Sequence, residues 1–204
     1  MLGRAAVAMW WDIAPEIRSE FEDWHTREHM PERLSIPGFL RGTRWIALSG
    51  EPSYFVLYET KNLKTITSGP YLDRLNDPTP WSRRMMPHHR NMVRSLCRVR
   101  AGYGGGVAHA LATIRFSPSN RNGLPALPRR KGVTSAHLLE SQPVPGAPTT
   151  EQKIRGKDAR ADWILLVAGY DVEAVKAVVA QAALPDAAGA IYRPAFSLTS
   201  KDVR

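Results

Sequence analysis

The sequence predicts an α+β fold. Two β-α-β-β-α-β units stand in tandem, and their antiparallel sheets pack into an α/β barrel within one chain. Three observations predict it. Apolar runs of strand length alternate with segments of helical period through the 204 residues. The run Gly102-Tyr103-Gly104-Gly105-Gly106 divides the chain near its middle. The part that follows repeats the order of the first in reduced form. A four-stranded sheet with helices on one face leaves the other bare, and two such faces bury each other. The expected division is 1–103 and 104–204.

Each element has its own warrant. Residues 5–11 are an apolar run of buried-strand length. Pro15 suits the first turn of a helix, and the Glu16 carboxylate favours a helix N-terminus. Ile17, Phe21, Trp24 and Glu28 follow at i, i+4, i+7 and i+11, which sets three apolar side chains on one stripe. Pro31 should weaken this helix near Met30, and Pro37-Gly38 should end the connection. Residues 41–48 and 53–60 read as strands about a Gly50-Glu51-Pro52 turn. Tyr54, Val56 and Tyr58 take one face of the second; Phe55, Leu57 and Glu59 take the other. Residues 63–75 are helical but interrupted at Gly69-Pro70, and 81–89 fit neither pattern. Residues 91–103 form a strand with Val93, Cys97 and Val99 on one face. In the second part, strands are expected over 108–116, 133–141, 161–170 and 191–198. Residues 122–130 stand where a first helix belongs, but Pro125 and Pro128 allow only a turn or so. Residues 142–160 read as a mobile, polar, proline-rich loop. Asp171 caps a helix running to residue 184, with Val172, Val175, Val179, Ala182 and Ala183 as its buried stripe.

Composition excludes several classes. With one cysteine, Cys97, the chain has no internal disulfide and no thiolate metal cage. No leader and no membrane span is expected, so the protein should be soluble and cytoplasmic, with no membrane partner. The formal charge of +9 invites a nucleic-acid reading. The excess is spread, however, at +4 over residues 1–100 and +5 over 101–204. The glycine run lacks the G-x-G-x-x-G spacing, and the aromatic pair of RNA-binding sheets is missing. A solvated basic surface is the better account, and no nucleic-acid partner is expected.

The run Phe21-Glu22-Asp23-Trp24-His25-Thr26-Arg27-Glu28-His29-Met30-Pro31-Glu32-Arg33, with Ile36-Pro37-Gly38-Phe39 and Arg41-Gly42-Thr43-Arg44 beyond it, resembles the EthD-like proteins. Leu75-Asn76-Asp77-Pro78-Thr79-Pro80-Trp81 is similar to a segment of some members. These proteins belong to the dimeric α/β-barrel superfamily of ferredoxin-like folds. The resemblance covers roughly residues 5–100; the remainder matches only by strand and helix order. Members usually build the barrel between two chains, and here the second half would supply the second sheet. The resemblance implies an apolar pocket between sheet and helices. It also implies a menu of chemistries: cofactor-free monooxygenases, cyclases, lactone isomerases, decarboxylases and haem-dependent enzymes.

Within that frame His29, at the histidine of the E-H-x-P element, is the candidate general acid or base, because imidazole titrates near neutral pH. Glu28 or a backbone carbonyl could orient it. The bland alternative is a histidine capping its helix C-terminus. His25 shares the helix face of His29, and the pair fits an H-x-x-E-H string, but the sequence offers no third ligand on a downstream helix. Tyr58 or Arg44 would hold a substrate oxygen. His25, Trp24, Tyr54, Trp81 and His88 are candidate pocket-lining residues. A haem ligand could come from His25, His29, His88 or His89. One site per chain is expected, in the first half; a rival is a second cleft opened by the shortened helix and closed by 142–160. The function expected is a cofactor-independent reaction on a small hydrophobic, aromatic or polyketide-like molecule, of lyase, isomerase or oxygenase type. The alternative is a non-catalytic binding or accessory protein. Monomer and homodimer both fit, the latter through free sheet edges.

Overall fold

The computed structural model describes residues 1–49, 51–117, 125–143, 146–156, 158–182 and 188–203. Eight strands, β1 (Ala5–Asp12), β2 (Phe39–Ser49), β3 (Tyr54–Thr60), β4 (Arg90–Tyr103), β5 (Ala110–Phe116), β6 (Val133–Ser141), β7 (Trp163–Gly169) and β8 (Ala188–Thr199), close into an antiparallel barrel. Its order is β1-β3-β2-β8-β5-β7-β6-β4. The first four strands lie as β4-β1-β3-β2 and the last four as β8-β5-β7-β6, so each half places its strands in the same sequence. Two seams, β2 with β8 and β4 with β6, join the halves. The free edges expected from the sequence are therefore absent among the described strands: closure pairs every one of them on both sides.

The alternation along each strand decides what faces inward. Ala6, Ala8 and Trp10 of β1, Phe55 and Leu57 of β3, and Cys97 of β4 fill the barrel with Leu111, Leu139, Ile164, Leu166 and Tyr192. The Trp10 and Phe55 rings lie 4.8 Å apart. Trp10 Nε1 donates to Thr113 Oγ1 at 3.1 Å, and Tyr192 donates its hydroxyl to the Pro52 carbonyl. The barrel is thus a filled core in which the Trp10 and Tyr192 handles are satisfied, while the Trp45 indole nitrogen has no partner. Val7, Met9 and Trp11, with Tyr54, Val56 and Tyr58, point outward under the first half's helices. The 54–60 strand alternates as the sequence requires. Burial raises the Cys97 thiol, which rests as an inert side chain among apolar neighbours.

Helices cover the outside. Pro15–Ile17 is a 3-10 turn, followed by α1 (Arg18–Trp24), a π-helical turn His25–His29 and α2 (Met30–Leu34). The helix therefore continues through Pro31 instead of failing near Met30. A proline ring collides with the carbonyl four residues back in an α-helix. Here the Met30 amide bonds the His25 carbonyl, five residues back, and the widened turn admits Pro31. The interrupted helix resolves as a 3-10 turn, Thr65–Thr67, and α3 (Gly69–Asn76). The ambiguous stretch is α4 (Pro80–Met85), capped by the Thr79 side chain, and a 3-10 turn, Met86–His88. Residues 142–160, expected as a loop, contain α5 (Thr150–Arg155) with a Thr149/Gln152 capping box. The last helix is α6 (Val172–Gln181), capped by Asp171 as expected; it ends one residue before Ala182, short of the predicted 184, and 183–184 lie outside the described residues. Residues 125–130 carry no helix, and 122–124 also lie outside the described residues. No described helix is long and apolar enough to cross a membrane.

Because Trp10 is fully buried at the centre of the filled barrel, Trp10→Ala should cost about 3–5 kcal/mol in urea unfolding. Thr113→Val removes the indole's acceptor and a hydrogen-bond partner of Tyr192, and should cost about 1–2 kcal/mol. A Trp10→Ala loss below that of Thr113→Val would contradict a close-packed interior.

Candidate functional site

The π-turn sits where the sequence places its two helical histidines. His25 is 1 % exposed and His29 8 %, so both turn away from solvent. Their ring centroids lie 5.5 Å apart. Trp24 packs on His29 at 4.5 Å, Phe21 on His25 at 5.6 Å, and Trp11 on His25 at 6.1 Å. His29 is mid-helix and cannot serve as a C-terminal cap. His89 completes the group, its ring 5.1 Å from Trp11. His88 is exposed. The sequence selected His88 from this adjacent pair; the structure brings in its neighbour, because the 3-10 turn before β4 directs successive side chains apart. The histidine pair next to a strand start was the only signal available for it.

Several polar atoms here are buried with no hydrogen-bond partner: both His25 nitrogens, His29 Nδ1, the Tyr58 hydroxyl, and the indole nitrogens of Trp11 and Trp81. Buried polar groups are ordinarily paired, so such a concentration in one layer is unusual. The other predicted residues are engaged. Tyr54 donates its hydroxyl to Glu22 Oε1 at 2.7 Å. Trp24 Nε1 donates to Glu28 Oε1 and Ser82 Oγ, each at 3.2 Å. Glu28 also accepts from Thr79 Oγ1 at 2.6 Å, so it anchors α4 and does not orient His29. Arg44 donates from one terminal nitrogen to the Glu22 carbonyl, lies over the Phe196 ring, and leaves its buried Nε unpaired. The β2/β3 register sets Gly42 opposite Tyr58 and Arg44 opposite Val56, so Arg44 stands one step along from Tyr58 on the same face.

Electrostatics give the two unpaired groups opposite tendencies. Burial, then the Arg33 guanidinium and the neighbouring His25 and His89, push His29 well below the usual histidine range. Burial, Arg44, His89 and Arg33 do the same to His25. Burial and Arg155 push His89 down to about 3, against its bond to Met86. The carbonyl oxygen of Met86, 3.1 Å from His89 Nδ1, can only accept, so that nitrogen carries the hydrogen. Burial raises the Tyr58 hydroxyl. At neutral pH the layer therefore holds neutral imidazoles, each with a lone pair on one nitrogen, and a protonated phenol, able to donate a hydrogen bond.

The segment leading from β6 to β7 covers this layer. Gln142 N bonds the Leu96 carbonyl, and Ala159 pairs with Met92 and Arg94. Between them Ile154 packs on the first half's core, and Glu151 forms a buried ion pair with Arg33. The chain's second half thus closes the first half's site. It does not close the second cleft, a space of about 650 Å³ between residues 125–130 and α6. The rings of His25 and His89 pack against Trp11 and Phe21, and that of His29 against Trp24. Among the described residues no three His, Cys, Asp or Glu side chains are grouped to hold a metal ion.

Fold and site together define an eight-stranded barrel of the dimeric α/β-barrel fold, with a helix-covered cluster of histidines and aromatic rings. Solved structures share it. A protein described as anthrone oxidase-like superposes with a TM-score of 0.61 at 11% identity, covering 96% of this chain and 92% of that one. Two proteins described as "putative monooxygenase" follow. One, from Lactobacillus acidophilus, has a TM-score of 0.54 at 9% identity, covering 97% of each chain. The other, from Fusobacterium nucleatum, has 0.52 at 9%, covering 98% and 96%. Such identities establish the fold alone. No protein-family model matches the sequence, and no curated protein does.

Two predictions test the site's construction. Gly42→Ala would place a Cβ 2.8 Å from Tyr58 Cε1 and 3.1 Å from Met30 Cγ. It should cost about 1–3 kcal/mol and displace the phenol, visible as a changed near-ultraviolet circular dichroism. The buried histidines also set a pH dependence. Unfolded, they titrate near 6.5; folded, they stay neutral. Above that value they contribute nothing. Below it the unfolded chain binds protons the folded one refuses, so stability falls. The urea midpoint should decline between about pH 6.5 and 5, and less steeply in His25→Phe. A midpoint flat across that window would show that these imidazoles accept protons in the fold.

Proposed function

We propose that this chain is a cofactor-independent enzyme acting on a small, flat, hydrophobic molecule, with His29 as the proton acceptor. One observation carries this reading: His29 Nδ1 and Tyr58 Oη are both buried and unpaired, and the Arg33 guanidinium acts on both residues. A ligand with a carbonyl or phenol oxygen and an acidic C–H would satisfy both. His29 would take the proton from carbon, the electron pair would move onto the carbonyl oxygen, and Tyr58 would hydrogen-bond the oxyanion so formed. Arg44, through its unpaired Nε, would add positive charge on the same face. His25, Trp11, Trp24 and Trp81 would supply the flat walls. Tyr54 would act through Glu22, holding α1 to the sheet.

The neutral state of His29 makes it a base, not an acid, in the first step. The EthD-like resemblance of residues 21–44 supports this location. The neighbours' descriptions, anthrone oxidase-like and monooxygenase, support an activated aromatic carbon as the reacting centre. Oxygenase, isomerase and lyase outcomes share this proton transfer. The alternative is a binding or accessory protein using the same layer without turnover.

Anthrone, whose C10 methylene is acidic and whose carbonyl lies across the ring, is a suitable probe. In deuterium oxide without oxygen, the protein should accelerate exchange at C10. His29→Phe should reduce that rate by at least about 100-fold, with binding retained. Tyr58→Phe should lower the rate while moving the binding constant little. Binding without accelerated exchange would favour the accessory-protein alternative. Native mass spectrometry of the protein from its own host would identify a retained ligand directly.

A further inference from the structure

Arg33 lies four residues after His29, on the same side of the helix, and is 3 % exposed. It meets two carboxylates. Glu32, its chain neighbour, accepts from Nη1 at 3.0 Å. Glu151, brought across from α5, accepts from Nη2 and is itself 3 % exposed. A guanidinium presents its donors as a planar fork suited to carboxylate oxygens. Glu32 is tied to Arg33 by sequence and stays. Glu151 comes from the far half of the chain on a six-residue helix, and it reaches the site beside Ile154. An arriving anion could replace Glu151 without leaving Arg33 bare, since Glu32 remains. That matters because an unpaired buried charge is strongly destabilising.

The surroundings favour such an exchange. Glu32 is raised by burial and by the nearby Glu151 and Glu28, so the carboxylates here crowd one another. Arg33 acts electrostatically on both His29 and Tyr58. The apolar partners on this face are Met30, Tyr58 and Tyr71, whose ring lies 5.2 Å from Phe39. An anion held at Arg33 would therefore carry its apolar body toward the unpaired phenol and imidazole.

Resting on the reading of this layer as a small-molecule site, we infer that Arg33 is its anion-recognising residue and that Glu151 holds that place when no ligand is bound. The ligand class is then a flat apolar acid, bearing a carboxylate or an equivalent anionic oxygen. Glu151 acts as a tethered competitor from the chain's own second half.

The test compares 2-naphthoate with its neutral counterpart 2-naphthamide, by calorimetry, on the full chain. Glu151→Gln should bind 2-naphthoate at least tenfold more tightly than the unsubstituted protein, with 2-naphthamide unchanged. Arg33→Gln combined with Glu151→Gln removes both charges together and should abolish the preference for the acid. Circular dichroism establishes that each variant is folded; should Glu151→Gln not fold, Glu151→Asp, which retracts the carboxylate, should show a smaller gain of the same sign. Equal affinity for 2-naphthoate in the unsubstituted protein and the Glu151 variant would overturn the inference, as would a preference for the acid that persists in the double variant. In either case, binding of the amide would leave the small-molecule reading standing. No binding of either probe by any folded variant would overturn the reading and the inference together.

Discussion

Closure of the barrel is the constraint on which the rest of the molecule depends. Once β2 pairs with β8 and β4 with β6, every described strand has two neighbours and the sheet has an inside. That inside is filled by Trp10, Phe55, Tyr192 and smaller aliphatics. A filled barrel offers no room for a ligand, so binding must be sought outside it, between sheet and helices. The helices of the first half cover Tyr54, Val56 and Tyr58, the alternate side chains of the same strand that sends Phe55 inward. One two-residue period thus separates the stabilising core from the candidate site.

The candidate site bears the marks of a region not optimised for stability. Two neutral imidazoles and a phenol are buried without partners, at a cost of order 1–3 kcal/mol for each unsatisfied group. The π-turn that presents both histidines is a departure from regular helix geometry that often accompanies functional positions. Neighbouring networks are met: Glu28 gathers Trp24, Thr79 and Ser82, and Asp12 accepts from Ser53 and Asn91. Away from the layer, the Trp45 indole nitrogen and the Ser141 hydroxyl are also buried without partners.

Much of this was legible in the sequence, for identifiable reasons. Continuous apolar runs of strand length, such as 54–58 and 163–169, specify the element. The Asp171 cap and the valine stripe after it specify α6. His25, His29, Trp24 and Tyr58 could be brought together because helical and strand periodicities act over a few residues. What resisted was long-range or irregular. A proline rule based on α-helices does not anticipate a π-turn that makes room for Pro31. The polar 142–160 segment has too little apolar content to announce α5, whose position depends on Arg33 more than a hundred residues earlier. His89 and His88 are indistinguishable by spacing, and only the turn decides between them.

The crossing segment has a further consequence for how the molecule is made. Residues emerge in order during synthesis, and the helix bearing His29 and Arg33 appears long before Glu151 and Ile154. The seam between β2 and β8 waits longer still, since β8 is the last strand. Contacts of such sequence separation place the architecture among slow-forming, high-contact-order topologies. Until α5 arrives, a nascent first half presents an uncovered guanidinium and open aromatic rings to the solvent, the kind of transient surface that invites chaperones or misassembly. The same element that occupies the anion subsite in the finished protein also helps seal that surface, before Phe196 and Leu198 of β8 complete the cover.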